Sequence, residues 1–192
     1  MRTFRNIAVL MCLVSFAASA GTLVQYTGGT GVATDFLGES FTTPAGGPWN
    51  NLMFNFFSDT PPVTPAAAGT AFLLTQEYLG TPAGLSSGTA GFLAQSTGIS
   101  AGVYLFDPSV TLQSNTTYYL YENASMISSG SGTDGSSGAH AYFAGTSSDA
   151  FNAVGAGEIA NFQLSSGVPE PSTFGLLGLS VVGLALLRRF GH

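Results

Sequence analysis

The chain has 192 residues, of which 45% are hydrophobic and only 7% are charged, and its formal net charge is −6. The low charge argues against intrinsic disorder, and the scarcity of Lys and Arg argues against nucleic-acid binding, because phosphate contacts come mainly from these side chains. The single Cys excludes an internal disulfide framework and a Cys-rich metal site, and no cofactor is expected.

Residues 1–20 have the pattern of a secretory signal peptide. The positive charges of Arg2 and Arg5 precede an apolar run at residues 7–17, whose length is usual for signal peptides. Ala18 and Ala20 are small residues at the positions that signal peptidase recognises, which predicts cleavage before Gly21. The alternative is an uncleaved anchor helix, but the run is shorter than the ~20 residues that a membrane span requires.

Residues 21–167 are predicted to form one exported domain, an antiparallel and jelly-roll-like β-sandwich. Short alternating or β-branched runs follow one another between Gly, Pro, Asn and Ser residues, without a helical pattern. The predicted strands are 22–26, 40–43, 51–57, 71–78, 92–97, 103–106, 110–112, 116–122, 139–143 and 159–164. Strands 92–97 and 103–106 are expected to pair with each other across 98–102. The aromatic residues expected to fill the core are Trp49, Phe54, Phe56, Tyr104, Phe106, Tyr118, Phe143 and Phe162.

This domain contains acidic residues but no basic ones. All Lys and Arg positions lie outside 21–167, whereas nine of the ten acidic residues lie within it, so its formal charge is −9 and it cannot form a Lys or Arg salt bridge. Carboxylates without cationic partners repel one another, and acid or divalent cations would relieve that repulsion. We expect these acids to be solvated surface groups and the domain to work outside the cytoplasm.

Few residues of the domain are suited to catalysis. His140 is its only histidine and is expected to be a half-exposed structural residue, because no G-x-S-x-G motif supplies a nucleophile. No metal site is predicted, although weak calcium binding by convergent carboxylates stays an alternative. A glycosidase needs two carboxyl groups at a working distance from each other. The candidate pairs are Asp35 with Glu39 and Glu77 with Glu122. The domain is therefore predicted to be non-enzymatic, with no catalytic residues.

Two further segments have alternative interpretations. Trp49 follows Gly46, Gly47 and Pro48 at a turn, where an exposed indole could stack on a sugar ring, but burial in the core is the favoured interpretation. Residues 128–138 are rich in Gly and Ser but contain no Lys, which excludes a phosphate loop and predicts a flexible connection.

Residues 168–192 have the pattern of a second targeting segment. Its parts are a short motif, an uncharged apolar run and a basic end: Val168, Pro169, Glu170, Pro171 and Ser172, then 173–187, then Arg188 and Arg189 within 188–192. We predict one transmembrane helix at 173–187, which approaches the thickness of a bilayer when its flanking residues are included. The arginines would hold the C-terminal end inside, with the domain outside. A buried core helix is the alternative.

The order of motif, apolar helix and basic end resembles the PEP-CTERM sorting signal of Gram-negative bacteria. This resemblance implies recognition by an exosortase, which is a membrane transpeptidase-like protease, and cleavage near residues 169–171. It also implies that a single-pass inner-membrane precursor is converted to a protein of the cell surface or extracellular matrix. Similar tails are known as ice-binding-protein C-terminal domains, a label that names the tail alone. The prolines would keep the motif extended, as a protease substrate requires.

The domain itself resembles the exported β-sandwiches known as choice-of-anchor domains. The residues that carry this resemblance are an early strand at 39–44, a turn and strand at 112–119, and a closing strand at 161–165. The resemblance implies a fold and an exported location, and it implies no catalytic residues.

These patterns together predict an exported protein that is structural or adhesive in an exopolysaccharide or biofilm layer. Its expected partners are signal peptidase and an exosortase as processing enzymes, the inner membrane before sorting, and exopolysaccharide. One alternative is a carbohydrate- or ice-binding module with a flat face rich in Thr, Ser, Gly and Ala. A second alternative is a glycan-active enzyme, which would need two facing carboxylates.

Overall fold

The structure, a computed structural model, describes residues 21–27, 31–57, 67–130, 132–133, 139–154 and 158–167, and at 31–34, 126–130, 132–133 and 158 it describes the backbone alone. The predicted signal peptide at 1–20, the motif at 168–172, the apolar run at 173–187 and the basic end at 188–192 lie outside the described residues. Residues 131 and 134–138 of the predicted flexible connection also lie outside them, whereas its residues 128–130 and 132–133 belong to strands. In the described part of the chain, no helix is long and apolar enough to cross a membrane.

β-Strands dominate the described residues, where the only helix is a 3₁₀ turn at Pro82–Gly84. The strands in chain order are β1 Gly21–Tyr26, β2 Gly31–Thr42, β3 Leu52–Phe56, β4 Ala71–Leu74, β5 Phe92–Gln95, β6 Gly98–Ser100, β7 Val103–Leu105, β8 Thr117–Glu122, β9 Met126–Gly130, β10 Gly132–Thr133, β11 Ala141–Ala144, β12 Asn152–Ala153, β13 Glu158–Ile159 and β14 Phe162–Ser166. The predicted strand 40–43 is therefore only the end of a much longer strand, β2.

The strands form two larger antiparallel sheets that pack face to face. The first sheet has the order β1-β14-β3-β7-β6, and the second has the order β12-β11-β2-β8-β4-β5, with β9 paired to the first part of β2. β10 and β13 form a separate pair. The ring of Phe41 in the second sheet lies 5.6 Å from that of Phe54 and 5.4 Å from that of Phe162, both in the first sheet. This arrangement confirms the predicted antiparallel sandwich.

The core between the sheets is built from alternate residues of each strand. In β14, Phe162, Leu164 and Ser166 are buried, while the two residues between them are half-buried, as a period of two requires. Most of the predicted core aromatics are buried here: Phe54, Phe56, Tyr104, Phe106, Tyr118 and Phe162. Trp49 and Phe143 are half-buried and pack against this core.

A second apolar cluster covers the outer face of the second sheet. Its buried members are Phe36, Phe72, Leu74, Leu85, Tyr121, Tyr142, Ala144 and Phe151. Residues 75–91 leave the sheet after Leu74 and place Leu85 and Tyr78 over this face, where the ring of Tyr78 lies 5.8 Å from that of Tyr121. The predicted strand 71–78 ends early because its last residues cross over the sheet instead of extending it.

The predicted pairing of 92–97 with 103–106 is wrong. β5 pairs with β4 in the second sheet, whereas β7 pairs with β3 and β6 in the first. The chain reverses between β6 and β7 at Ala101 and Gly102, which have φ angles of 50° and 77°. Positive φ at both central residues is the mark of a tight two-residue hairpin. The sequence does not predict this turn, because residues other than Gly, such as Ala101, rarely have positive φ.

Gly38 of β2 lies against the ring of Tyr121, its register partner in β8. A Cβ at position 38 would overlap Cδ1 of Tyr121, whose hydroxyl is held by a hydrogen bond from the Tyr78 N–H. We therefore expect Gly38→Ala to lower the free energy of unfolding by about 1–3 kcal/mol, as overpacking does. Denaturant titration measures this loss. Gly98→Ala is the matched control, because a Cβ there meets nothing within 4 Å; equal losses in both variants would contradict the packing argument.

Candidate functional site

The two ends of the predicted domain lie side by side in the first sheet. Gly21, the first residue after the predicted signal cleavage, pairs with Ser166 in the antiparallel contact of β1 with β14. Side chains join the same strands, since Gln163 Nε2 donates to Thr22 Oγ1 at 2.9 Å. The two predicted targeting segments, 1–20 and 168–192, are therefore attached to the sandwich at neighbouring points.

The last strand is held in place up to its final residues. Ser166 is buried and pairs with Leu52 of β3 on the side opposite Gly21. The Gly167 N–H donates to the Asn51 carbonyl oxygen at 3.0 Å. A Cβ on Gly167 would lie 2.9 Å from the Cβ of Asn51, so the two backbones are in close contact. The chain is thus fixed to the fold until one residue before Val168.

Two connections surround this point and are hydrogen-bonded to each other. Residues 43–51 link β2 to β3, and residues 106–116 link β7 to β8. Trp49 and Leu112 exchange backbone hydrogen bonds of 2.9 and 2.8 Å, and Thr43 Oγ1 accepts from the Thr116 N–H at 3.1 Å. We call the surface formed by residues 21, 43–51, 106–116 and 166–167 the terminal face.

The terminal face is polar and nearly uncharged. Its one charged residue is Asp107, whose Oδ1 accepts from the Ser109 hydroxyl at 2.6 Å and from the Ser109 N–H at 2.8 Å. These two hydrogen bonds hold the pKa of Asp107 below its usual value.

Two acidic residues lie in the core, which corrects the expectation that the acids of this domain are solvated. Glu39 of β2 and Glu122 of β8 are both 0% exposed. Each accepts a hydrogen bond from a backbone N–H: Glu39 Oε2 from Ala160 at 2.8 Å, and Glu122 Oε1 from Leu37 at 3.2 Å. These carboxyl groups therefore connect separate segments of the fold from within the core.

Burial in the core favours the protonated form of the Glu122 carboxyl group. The Tyr104 hydroxyl oxygen lies 2.8 Å from Glu122 Oε2 and 2.5 Å from the Ala68 carbonyl oxygen. The Tyr104 hydroxyl donates to this carboxyl group, and this hydrogen bond, like the one from the Leu37 N–H, acts to lower the pKa of Glu122. Burial has the larger effect and raises the pKa of Glu122 well above its usual value, which favours the protonated form.

The carboxylate pairs considered for a glycosidase are not brought together. Asp35 and Glu39 lie four residues apart on β2, and the Glu39 carboxyl group is buried and accepts from the Ala160 N–H instead of facing a cleft with Asp35. Glu77 accepts a hydrogen bond at 3.0 Å from Tyr142 in the outer cluster, whereas Glu122 bonds to Tyr104 on the inner side of the second sheet.

His140 is half-buried, as predicted, and its contacts are structural. Its backbone N–H donates to Ser40 Oγ at 2.7 Å, and its carbonyl oxygen accepts from the Ser40 N–H at 2.9 Å. The imidazole Nδ1 is buried and has no hydrogen-bond partner in the part of the chain that the structure describes. That same part contains no group of three His, Cys, Asp or Glu side chains arranged to hold a metal ion.

Trp49 packs against the core and is only half-exposed on the terminal face. Its Nε1 lies close under Gly47, where an added Cβ would come within 2.8 Å. This N–H is buried and finds no acceptor among the described residues. The favoured interpretation, an anchor on the core, therefore fits the geometry better than an open platform for a sugar ring.

The buried indole N–H leads to a prediction about Trp49. We expect Trp49→Phe to change the free energy of unfolding by less than about 1 kcal/mol, because the lost packing is offset by removal of an unsatisfied donor. Trp49→Ala should lower it by about 3–5 kcal/mol through the lost packing. Urea unfolding followed by circular dichroism compares the two. A loss in Trp49→Phe as large as in Trp49→Ala would mean that the N–H is in fact hydrogen-bonded.

Comparison with known protein families decides the nature of the segment that follows β14. Residues 167–189 match the PEP-CTERM protein-sorting motif. The chain carries a PEP-CTERM sorting signal. The match includes the predicted motif at 168–172, the apolar run and both Arg188 and Arg189. Comparisons with curated proteins and with solved structures found no match.

The PEP-CTERM signal implies an exported protein whose membrane-anchored precursor is processed by an exosortase. It begins at Gly167, the residue that is hydrogen-bonded to Asn51, so the signal follows β14 without a spacer. The resemblance predicted for the tail is thereby confirmed, and the choice-of-anchor resemblance of the sandwich stays a prediction. Of the predicted site residues, the structure describes Gly21; the remaining positions, from Ala18 and Ala20 to Arg189, lie outside the described ranges.

Proposed function

We propose that this protein is a non-enzymatic component of the surface layer or extracellular matrix of a Gram-negative bacterium. Exosortase sorting delivers it there, and the β-sandwich acts as a structural or adhesive unit. Exopolysaccharide is the proposed partner. Signal peptidase and the exosortase remove the two terminal segments, so the sandwich is the part that performs the function.

The position of the sorting signal carries this proposal. The PEP-CTERM match starts at Gly167, directly after β14, so cleavage near residues 169–171 separates an intact sandwich from the apolar run. The product is then a folded domain without a membrane segment, which is what a surface or matrix component requires.

The contacts of the acidic groups support a structural role. Glu39 and Glu122 accept backbone hydrogen bonds inside the core, and Glu77 accepts one from the Tyr142 hydroxyl. General acids and bases must instead face a substrate within hydrogen-bonding distance. These carboxyl groups are engaged in holding the fold together.

The charge of the domain limits the kind of polysaccharide that it binds. Residues 21–167 contain nine acidic residues and no Lys or Arg, so an anionic polymer is repelled. We therefore propose a neutral polysaccharide, or an anionic one bridged by divalent cations. Exposed Ser, Thr, Asn and Gln side chains supply the hydrogen bonds.

The test of delivery is the intact mass of the native protein from separated membrane, cell-surface and medium fractions. Digestion after Glu and Asp locates the C-terminus, because trypsin has no site between Arg5 and Arg188. A C-terminus near residues 169–172 in the surface or medium fraction is the expected result. A tail that is intact through Arg189 and confined to the membrane fraction would mean a permanent anchor and would contradict exosortase sorting.

The test of the partner uses the processed protein recovered from cells. Cells unable to make their exopolysaccharide should release the processed protein into the medium, and a chelator should do the same if divalent cations bridge the two. Processed protein that stays on the surface of such cells would contradict the proposed partner while leaving sorting intact.

A further inference from the structure

We propose that the terminal face is a docking surface for the exosortase, which contacts the folded sandwich as well as the sorting motif. This inference rests on the proposed exosortase sorting. It assigns a recognition role to residues 43–51 and 106–116, which lie outside the PEP-CTERM match at 167–189.

The first argument is the short length of chain between the fold and the motif. Gly167 is hydrogen-bonded to Asn51, and Val168 is the first residue of the motif. An extended chain advances at most about 3.6 Å per residue, so Glu170 lies within about 11 Å of Gly167. Even a small domain has a radius of gyration of about 13 Å. An enzyme that encloses the peptide around Glu170 is therefore in contact with the sandwich.

The second argument is the orientation of the sandwich at the membrane. The apolar run begins at Thr173, six residues after Gly167, which keeps the fold within about 22 Å of the hydrocarbon. Before signal cleavage, residues 1–20 are attached at Gly21, the register partner of Ser166. Both membrane attachments thus leave from the terminal face, so this face is turned towards the membrane in which the exosortase lies.

The third argument is that the terminal face is already organised for binding. Backbone hydrogen bonds between Trp49 and Leu112 hold the two connections together. Thr43 and Thr116 add two more hydrogen bonds, one through the backbone and one through the Thr43 hydroxyl. The Asp107 carboxylate fixes the start of the second connection through Ser109. A surface that is ordered before binding loses little conformational entropy when a partner docks.

The chemistry of the face favours a protein partner over the lipid surface. Lys and Arg, which attract anionic headgroups, do not occur in residues 43–51 or 106–116. The exposed large hydrophobic residues of the described structure are Leu79, Leu93 and Ile99, and all three lie outside the terminal face. Neither electrostatic attraction to lipid nor insertion into it is therefore available there.

The experiment measures the cleaved fraction of the full-length precursor in cells that contain an epitope-tagged exosortase. Ala45→Glu and Gln113→Glu each place a charge at an exposed position of the terminal face, and Ser100→Glu and Ser125→Glu are matched controls at the opposite end. We expect the terminal-face variants to lower the cleaved fraction several-fold and the controls to leave it unchanged. Thermal unfolding of each variant checks that the fold is retained.

Two further measurements keep the result independent of folding. A flexible insertion of about twelve Gly and Ser residues after Gly167 separates the motif from the face. It should lower processing of the parent and abolish the difference between the variants. A photo-crosslinking residue in place of Gln113 should form an adduct with the tagged exosortase.

Three outcomes would overturn the proposal. They are a cleaved fraction in both terminal-face variants equal to that of the parent, faster processing after the insertion, or a crosslink to lipid alone. The last of these would assign the face to the membrane. The variant Glu170→Ala distinguishes a failure of the docking surface from a failure of the proposed exosortase sorting on which it rests. If Glu170→Ala is processed normally, exosortase sorting itself fails; if it blocks processing while Ala45→Glu and Gln113→Glu do not, only the docking surface fails.

Discussion

Acidification from neutral pH to about pH 4.5 is expected to raise the free energy of unfolding of this protein, whereas many proteins lose stability in acid. Burial raises the pKa of Glu122 well above its ordinary value of 4.5, so the folded state keeps a proton that the unfolded chain has released. The contribution of Glu122 is therefore complete below pH 4.5 and is lost as the pH rises through the folded-state pKa. It amounts to about 1.4 kcal/mol per unit between the two pKa values.

Asp107 sets a limit to this effect on the acidic side. The hydrogen bonds from Ser109 hold the pKa of Asp107 below its ordinary value of 3.8. Its contribution is therefore present above pH 3.8 and is lost as the pH falls through the lowered folded-state pKa. Repulsion among the acids of the domain, which contains no Lys or Arg, acts in the same direction as Glu122. The maximum of stability should thus lie at about pH 4.

Glu122→Gln tests the origin of this pH dependence. A glutamine offers an oxygen to the Leu37 N–H and an amide N–H to the Tyr104 hydroxyl, which reproduces the protonated acid. We expect the variant to be at least as stable as the parent at neutral pH and to respond less to acid. Glu122→Ala instead should cost about 2–4 kcal/mol, because it leaves the Leu37 N–H unsatisfied and opens a cavity.

Urea titrations between about pH 4 and pH 8 measure these differences. Glu77→Gln is the control for the removal of one acidic side chain at an exposed position. If Glu122→Gln keeps the full pH dependence, another group is responsible and the protonated state assigned to Glu122 is wrong.

Phe162→Ala is expected to lower the free energy of unfolding by about 3–5 kcal/mol, a large share of the stability of a small domain. The ring of Phe162 is fully buried and lies 5.4–6.1 Å from four other rings, those of Tyr26, Phe41, Phe54 and Phe56. These neighbours belong to both sheets, so the cavity cannot close without moving one sheet against the other. Thermal unfolding followed by circular dichroism measures the loss.

Two variants accompany this measurement. Phe162→Leu keeps most of the volume and should cost less than Phe162→Ala. Phe143→Ala removes a half-buried ring of β11 and should also cost less, because part of that ring is already in contact with water. A Phe143→Ala loss equal to that of Phe162→Ala would contradict the central position assigned to Phe162.

Local patterns were sufficient to predict much of the fold. The alternation in 51–57 places Leu52, Phe54 and Phe56 on one face, and all three are buried in β3. Alternation failed where neighbouring strands belong to different sheets. β5 and β7 are close in sequence, yet the chain passes from the second sheet to the first between them. No local pattern records such a change, because it depends on which distant strand each segment pairs with.

For the candidate site, too, some features were predicted from the sequence and others were not. The sorting residues 168–172 were predicted directly, because linear motifs are recognised from their order along the chain. The burial of Glu39 and Glu122 was missed, although one signal was present: Glu122 is in phase with Tyr118 and Leu120 on β8, and both of those face the core. Composition alone suggested the opposite, since ionised acids are almost never fully buried.

The mainly-β class and the PEP-CTERM signal follow from the amino-acid sequence alone, because strand alternation and sorting motifs are properties of neighbouring residues. The three-dimensional fold was needed to show that Gly21 and Ser166 are partners, and that the connections 43–51 and 106–116 lie together beside the start of the sorting signal. The same holds for the raised pKa of Glu122, which depends on the burial of its carboxyl group in the assembled core. These features arise from pairing between segments far apart in the chain, whose register is chosen by the burial of the whole core.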